Sequence, residues 1–125
     1  MAKVLVVEDS ATDRDYLRDL LQKAGHSVLV AASGHEAVDM ARRDPPDLVF
    51  MDIVMEDGDG YHAMRSLRED PKTTHVPVVV VSSKNQKADK MWAQLQGAKG
   101  YVVKPASAEA ILAHIDSLLS RRSHP

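Results

Sequence analysis

Apolar residues follow two alternating rhythms along this chain. Short unbroken runs come first: Val4-Leu5-Val6-Val7, Val28-Leu29-Val30-Ala31, Leu48-Val49-Phe50-Met51, Val78-Val79-Val80-Val81 and Tyr101-Val102-Val103. Runs this short, β-branched and continuously apolar suit strands buried on both faces, as in a parallel sheet. They predict strands over 3–7, 26–31, 47–51, 76–81 and 100–103. Between them the period lengthens to that of amphipathic helices, predicted over 13–24, 35–43, 61–69, 86–96 and 108–120. Tyr16, Leu17, Leu20, Leu21 and Ala24 share one face of the first helix, at a spacing of 3.6 residues. Ala88, Met91, Trp92 and Leu95 form a stripe in the fourth, where packing of Trp92 against the sheet is the expectation. Ile111, Leu112, Ile115, Leu118 and Leu119 turn inward in the last.

Punctuation supports these elements. Gly25 is placed as the C′ residue of the first helix, and Gly97 ends the fourth. Ser33-Gly34-His35-Glu36 reads as a capping box. Pro45-Pro46 and Asp70-Pro71 close the second and third helices, and Pro77 sits in the tolerated first positions of a strand. Strict strand–helix alternation means right-handed crossovers and a parallel sheet with helices on both faces. Five units are too few for an eight-fold barrel. The expectation is an α/β, flavodoxin-like, doubly wound five-stranded sheet of order 2-1-3-4-5 with five helices. One domain should cover 1–122, with 123–125 a frayed tail and no output domain.

Composition narrows the function classes. The net charge is −2 and no basic run stands out, so a nucleic-acid footprint is missing. Arg121-Arg122 reads as solvation of a helix end. Without cysteine there is no disulfide framework or thiolate metal site. No apolar stretch reaches the length of a membrane span, and the first residues lack a signal-peptide layout. A cytoplasmic monomer is expected. The six histidines show no metal-ligand spacing and read as surface or boundary residues.

The unusual polar residues fall at strand ends. Glu8 and Asp9 end the first strand, Asp52 the third, Ser82 and Ser83 the fourth, and Lys104, before Pro105, the fifth. Each alone reads as a cap, turn or surface residue. Together they meet at one edge of one parallel sheet, where open α/β sheets bind ligands. Converging carboxylates repel and raise each other's pKa unless a cation intervenes. Hard oxygen donors suit Mg²⁺, which also binds phosphoryl oxygens. A lysine and a hydroxyl beside them would neutralise a phosphoryl group in transfer, with Asp52 as nucleophile.

On these residues the chain resembles the response-regulator receiver domains of the stand-alone, CheY-like kind. The resemblance covers essentially the whole chain. It rests on Val6-Val7-Glu8-Asp9-Ser10, Met51-Asp52-Ile53-Val54-Met55, Val81-Ser82-Ser83 and the run from Gly97 to Pro105. It implies that Asp52 accepts phosphate from a histidine kinase. Glu8, Asp9, Asp52 and the backbone carbonyl of Val54 would hold Mg²⁺. Ser82 would be the switch hydroxyl, Tyr101 the switch aromatic, and Lys104 the partner of the phosphoryl group, with a cis bond before Pro105. One departure is Met55-Glu56 where the family commonly has Met-Pro, which predicts a looser or more negative loop. Val54 and Lys84, each two positions beyond a site residue, would flank the path of hydrolytic water and set the phosphoryl lifetime.

The resemblance also implies a mechanism of signalling. Ser82 would move toward the phosphoryl group and Tyr101 would turn into the space it leaves. That would repack the surface of the fourth helix, fifth strand and fifth helix, with Lys87, Lys90 and Trp92 as candidate contacts. Partners would be a CheA-like sensor kinase and a motor or effector protein, the regulator catalysing only its own phosphorylation and dephosphorylation. Asp89 to Trp92, with Gln96-Gly97-Ala98, also resembles PilH-like regulators of type IV pilus twitching motility. The alternative is a phosphate sink draining a shared kinase. A haloacid-dehalogenase-type phosphatase would need a second Asp where Val54 stands, and a flavodoxin would not place Glu8-Asp9 in its phosphate loop.

Overall fold

The structure, a computed structural model, describes residues 1–55 and 58–119, with the side chains of residues 58 and 59 outside that description. The expected frayed tail at 123–125, Arg121-Arg122, the end of the last helix at Ser120 and the Glu56 departure lie outside the described residues. The elements in order are β1 (Lys3–Val7), α1 (Ala11–Lys23), β2 (Ser27–Ala31), α2 (Gly34–Arg43), β3 (Leu48–Met51), β4 (Val54–Met55), β5 (Gly58–Asp59), α3 (Gly60–Glu69), β6 (Val78–Ser82), α4 (Lys87–Leu95), β7 (Gly100–Val103) and α5 (Ala108–Leu119).

Five parallel strands form one sheet in the order β2-β1-β3-β6-β7. That is the expected 2-1-3-4-5 topology once the small antiparallel β4–β5 hairpin is set apart. The hairpin was not expected from sequence. Two residues per strand are too few to show a period. β3 and β6 are buried throughout, as their unbroken apolar runs require. One face of the sheet is covered by α1 and α5 through Leu17, Leu21, Ile111 and Ile115. The other is covered by α2, α3 and α4 through Ala37, Ala41, Ala63, Met64, Leu67 and Ala93.

Helix ends follow local chemistry. α1 begins two residues before the expected start, because Ser10 caps it and accepts from the Asp13 N–H at 3.3 Å. Gly25 follows its C-cap with φ of 94°, the left-handed conformation that glycine adopts without strain. Ser33 caps α2 by accepting from the Glu36 N–H at 3.0 Å, while the Glu36 carboxylate reaches back to the Ala32 N–H.

The fourth helix corrects one expectation. Its stripe does not face the sheet: Met91, Trp92 and Leu95 are 54%, 50% and 70% exposed, and only Ala93 is buried. The small Ala93 side chain, together with Ala98, docks this short helix beside β7 and Tyr101. Trp92 instead meets Tyr61 edge-on, with ring centroids 6.2 Å apart.

Candidate functional site

Register brings the site together. Val7 pairs with Met51, and Ser82 with Val103. The residues that follow β1, β3 and β7 therefore leave the sheet at one edge, beside the end of β6. The Asp52 N–H donates to the Val7 carbonyl at 3.0 Å, and the Lys104 N–H to the Ser82 carbonyl at 2.8 Å. These bonds extend the ladder by one step and fix where both side chains start. The peptide before Pro105 is cis, as expected.

Lys104 is the hub. Its Nζ donates to Glu8 Oε1 at 3.1 Å, Asp52 Oδ2 at 3.1 Å and Asp13 Oδ2 at 2.8 Å. Burial works against its charge, but the hydrogen bonds it donates to Asp13 and Glu8 and the charges of Glu8 and Asp52 outweigh it and raise its pKa. The other Asp52 oxygen, Oδ1, accepts from the Val54 N–H at 3.0 Å. Asp52 is thus held from two sides in a nearly closed position, 7% exposed.

Glu8 carries the main electrostatic tension. It is 1% exposed, and burial, opposed by Lys104 and reinforced by Asp52 and Asp13, pushes its pKa up to about 8. Its Oε2 is buried without a hydrogen-bond partner. One oxygen each from Glu8, Asp9 and Asp52 lie within 4.8 Å of one another. A buried orphan oxygen among three gathered carboxylates is what a hard divalent cation would relieve. These donors fit Mg²⁺, and the fold gathers the three carboxylates, Glu8, Asp9 and Asp52, that the sequence names.

The hydroxyl side is also placed. Ser82 is fully buried, and its Oγ accepts from the Lys84 N–H at 3.1 Å. The Tyr101 hydroxyl donates to the Lys84 carbonyl at 2.8 Å. Both expected switch residues therefore hold the two sides of the Lys84 backbone, and burial raises the Tyr101 pKa.

Two contributors escaped the sequence reading. Asp13 lies on the first turn of α1, where an acidic residue reads as a helix-dipole partner; only the fold shows it reaching Lys104. Gly60 opens α3 against the loop that follows Asp52. A Cβ there would lie 2.6 Å from the Asp52 carbonyl oxygen and 2.6 Å from the Ile53 Cα. The Gly58-Asp59-Gly60 run signalled a turn but not this close approach.

Three comparisons with known proteins point to one family. Residues 4–116 match the family model described as the response regulator receiver domain. Protein PilH of Pseudomonas aeruginosa is 42% identical over 120 residues, covering 96% of this chain and 99% of that protein. The polar-differentiation response regulator DivK of Brucella ovis is 33% identical, covering 93% of this chain and 94% of its own. Among solved structures, the chemotaxis protein CheY4 of Vibrio cholerae superposes with a TM-score of 0.89 at 30% identity, covering 95% of this chain and 99% of that one.

Proposed function

The chain belongs to the response-regulator receiver family, and from that premise we propose that Asp52 is its phosphoryl acceptor, with Glu8, Asp9, Asp52 and the Val54 carbonyl as Mg²⁺ ligands. The observation that carries this is the Lys104 ammonium, which joins Asp52 to Glu8 across chain separations of 52 and 96 residues. One domain over 1–122 is part of the same reading.

In the forward reaction a carboxylate oxygen of Asp52 attacks phosphorus on a phosphohistidine donor. The P–N bond breaks, its electron pair stays with the imidazole nitrogen, and an acyl phosphate forms on Asp52. When bound, Mg²⁺ supplies charge neutralisation at the phosphoryl oxygens. The protein supplies the rest. The Val54 N–H and Lys104 orient the carboxylate before attack, and Lys104 then donates to the transferred group. The Ser82 hydroxyl leaves the Lys84 N–H to donate to a phosphoryl oxygen. Its departure loosens the Lys84 backbone, which frees Tyr101 to turn inward and repack α4, β7 and α5.

Receiver domains work between a histidine kinase and a downstream target. The likeness to PilH and CheY4 supports a CheA-like kinase and control of twitching or chemotaxis-like motility by a cytoplasmic, monomeric regulator. No helix among the described residues is long and apolar enough to cross a membrane. The open Met91–Trp92–Leu95 surface of α4 favours a regulator with a partner protein over a pure phosphate sink.

Incubation with acetyl phosphate and Mg²⁺ followed by intact-mass measurement tests the chemistry. A gain of one phosphoryl group is expected, lost in Asp52→Asn and in EDTA. Phosphorylation persisting in Asp52→Asn would overturn the assignment.

A further inference from the structure

Lys104 has three ammonium protons and three carboxylate partners. Two of them, Glu8 and Asp52, belong to the group of acids gathered within 4.8 Å. The third, Asp13, stands outside that group yet makes the shortest of the three bonds, 2.8 Å. A cation placed among Glu8, Asp9 and Asp52 would neutralise those acids and leave the hold of Asp13 on Lys104 untouched. A phosphoryl group on Asp52 brings close to two negative charges and needs a donor from the same ammonium.

We propose that Asp13 is a restraining residue. It ties Lys104 down in the unphosphorylated protein and competes with phosphoryl oxygens for its protons, so Asp52 is charged fully only when the Asp13–Lys104 pair opens. This rests on the reading of Asp52 as acceptor. Exposure decides which partner yields: the Asp13 side chain is 43% exposed and can turn to water, whereas that of Glu8, at 1%, cannot. Asp13 is also anchored at its backbone by the Ser10 cap, so its carboxylate can swing without unwinding α1. A second tie, from the Tyr16 hydroxyl to the Ala106 carbonyl, keeps α1 docked beside the lysine when the pair opens. Asp13 therefore acts through Lys104 as a positioning residue and does not touch the phosphoryl group.

The test uses beryllofluoride, a phosphoryl mimic, titrated at saturating Mg²⁺ and followed by calorimetry. Asp13→Asn should tighten its binding about fivefold, about 1 kcal/mol at 1.4 kcal/mol per tenfold. Asp13→Glu, which keeps the charge, should stay within about twofold of wild type by the same conversion. In a Lys104→Met background Asp13→Asn should have no effect, because the restraint acts only through the ammonium. In metal-free protein the Lys104 ammonium protons should exchange faster in Asp13→Asn than in wild type. Should Asp13→Asn unfold, Asp13→Ser takes its place. Unchanged or weaker binding in a folded charge-removed variant, while wild type binds, overturns the restraint. Failure of wild type to bind would instead overturn the acceptor reading beneath it.

Discussion

Replacing Glu8 with glutamine should stabilise the metal-free protein near neutral pH, where the unfolded chain ionises Glu8 and the fold keeps it protonated, and leave it unchanged in mild acid. In the unfolded chain Glu8 ionises near its ordinary 4.5, and in the fold near about 8. Between these values the folded state holds the extra proton, so raising the pH favours unfolding. The stabilisation is complete below 4.5 and is lost as pH rises through about 8. From pH 5 to pH 7 the loss is about 3 kcal/mol, at 1.36 kcal/mol per unit. With an unfolding entropy of about 2.1 cal/mol/K per residue, a chain of 125 residues converts this to a fall in Tm of about 10 °C. Other perturbed groups act elsewhere: Asp70, lowered first by the Lys72 N–H, matters in acid, and Lys104 and Tyr101, both raised, matter in alkali. Thermal melts in EDTA at pH 5, 6, 7 and 8 would compare wild type with Glu8→Gln. The two should melt within a few degrees of each other at pH 5 and stand about 10 °C further apart at pH 7, the variant being the more stable. Added Mg²⁺ should raise the wild type at pH 7 by mass action and leave Glu8→Gln nearly unmoved. Parallel Tm curves across this range would refute the claim that burial makes the fold hold a proton on Glu8 that a bound cation would displace.

Other expectations follow from the same geometry. Gly60→Ala should cost about 1–3 kcal/mol, because the Asp52–Ile53 backbone against the new methyl must shift; denaturant melts read this, and acetyl-phosphate labelling of Asp52 should slow in parallel. Trp92→Ala should cost only about 1 kcal/mol, the scale of an exposed aromatic pair, and not the ~3–5 of a core tryptophan. Val54→Asn and Lys84→Ala should change the decay of phosphorylated protein, followed by intact mass; an unchanged rate in both would remove these positions from the path of hydrolytic water.

The sheet was legible because a strand buried on both faces has no polar positions to interrupt it. Val78 to Val81 announces a central strand with few competitors. The site was legible for a related reason. Glu8, Asp52, Ser82 and Lys104 are polar residues directly ending or following apolar runs, and parallel register carries all four to one edge. Periodicity failed in α4, where it identifies an apolar face but not which face docks. One alanine at the right angle outweighed Met91, Trp92 and Leu95, because close approach to β7 favours a small side chain. Asp13 was invisible for a different reason. A first-turn carboxylate after a serine cap is explained locally, and only tertiary structure brings Lys104 from 91 residues away. Gly60 likewise reports a backbone approach that sequence does not encode as a pattern.

The most direct test of the central claim, that acids, hydroxyl and ammonium from four strand ends serve one phosphoryl site, is a crystal structure with Mg²⁺ and beryllofluoride. The account predicts beryllium bonded to Asp52, Mg²⁺ among Glu8, Asp9 and Asp52, Lys104 and Ser82 donating to fluorine, and the Tyr101 hydroxyl gone from the Lys84 carbonyl. Beryllofluoride bound elsewhere, or Lys104 still donating to Glu8 and Asp13 with Asp52 unmodified, would contradict it.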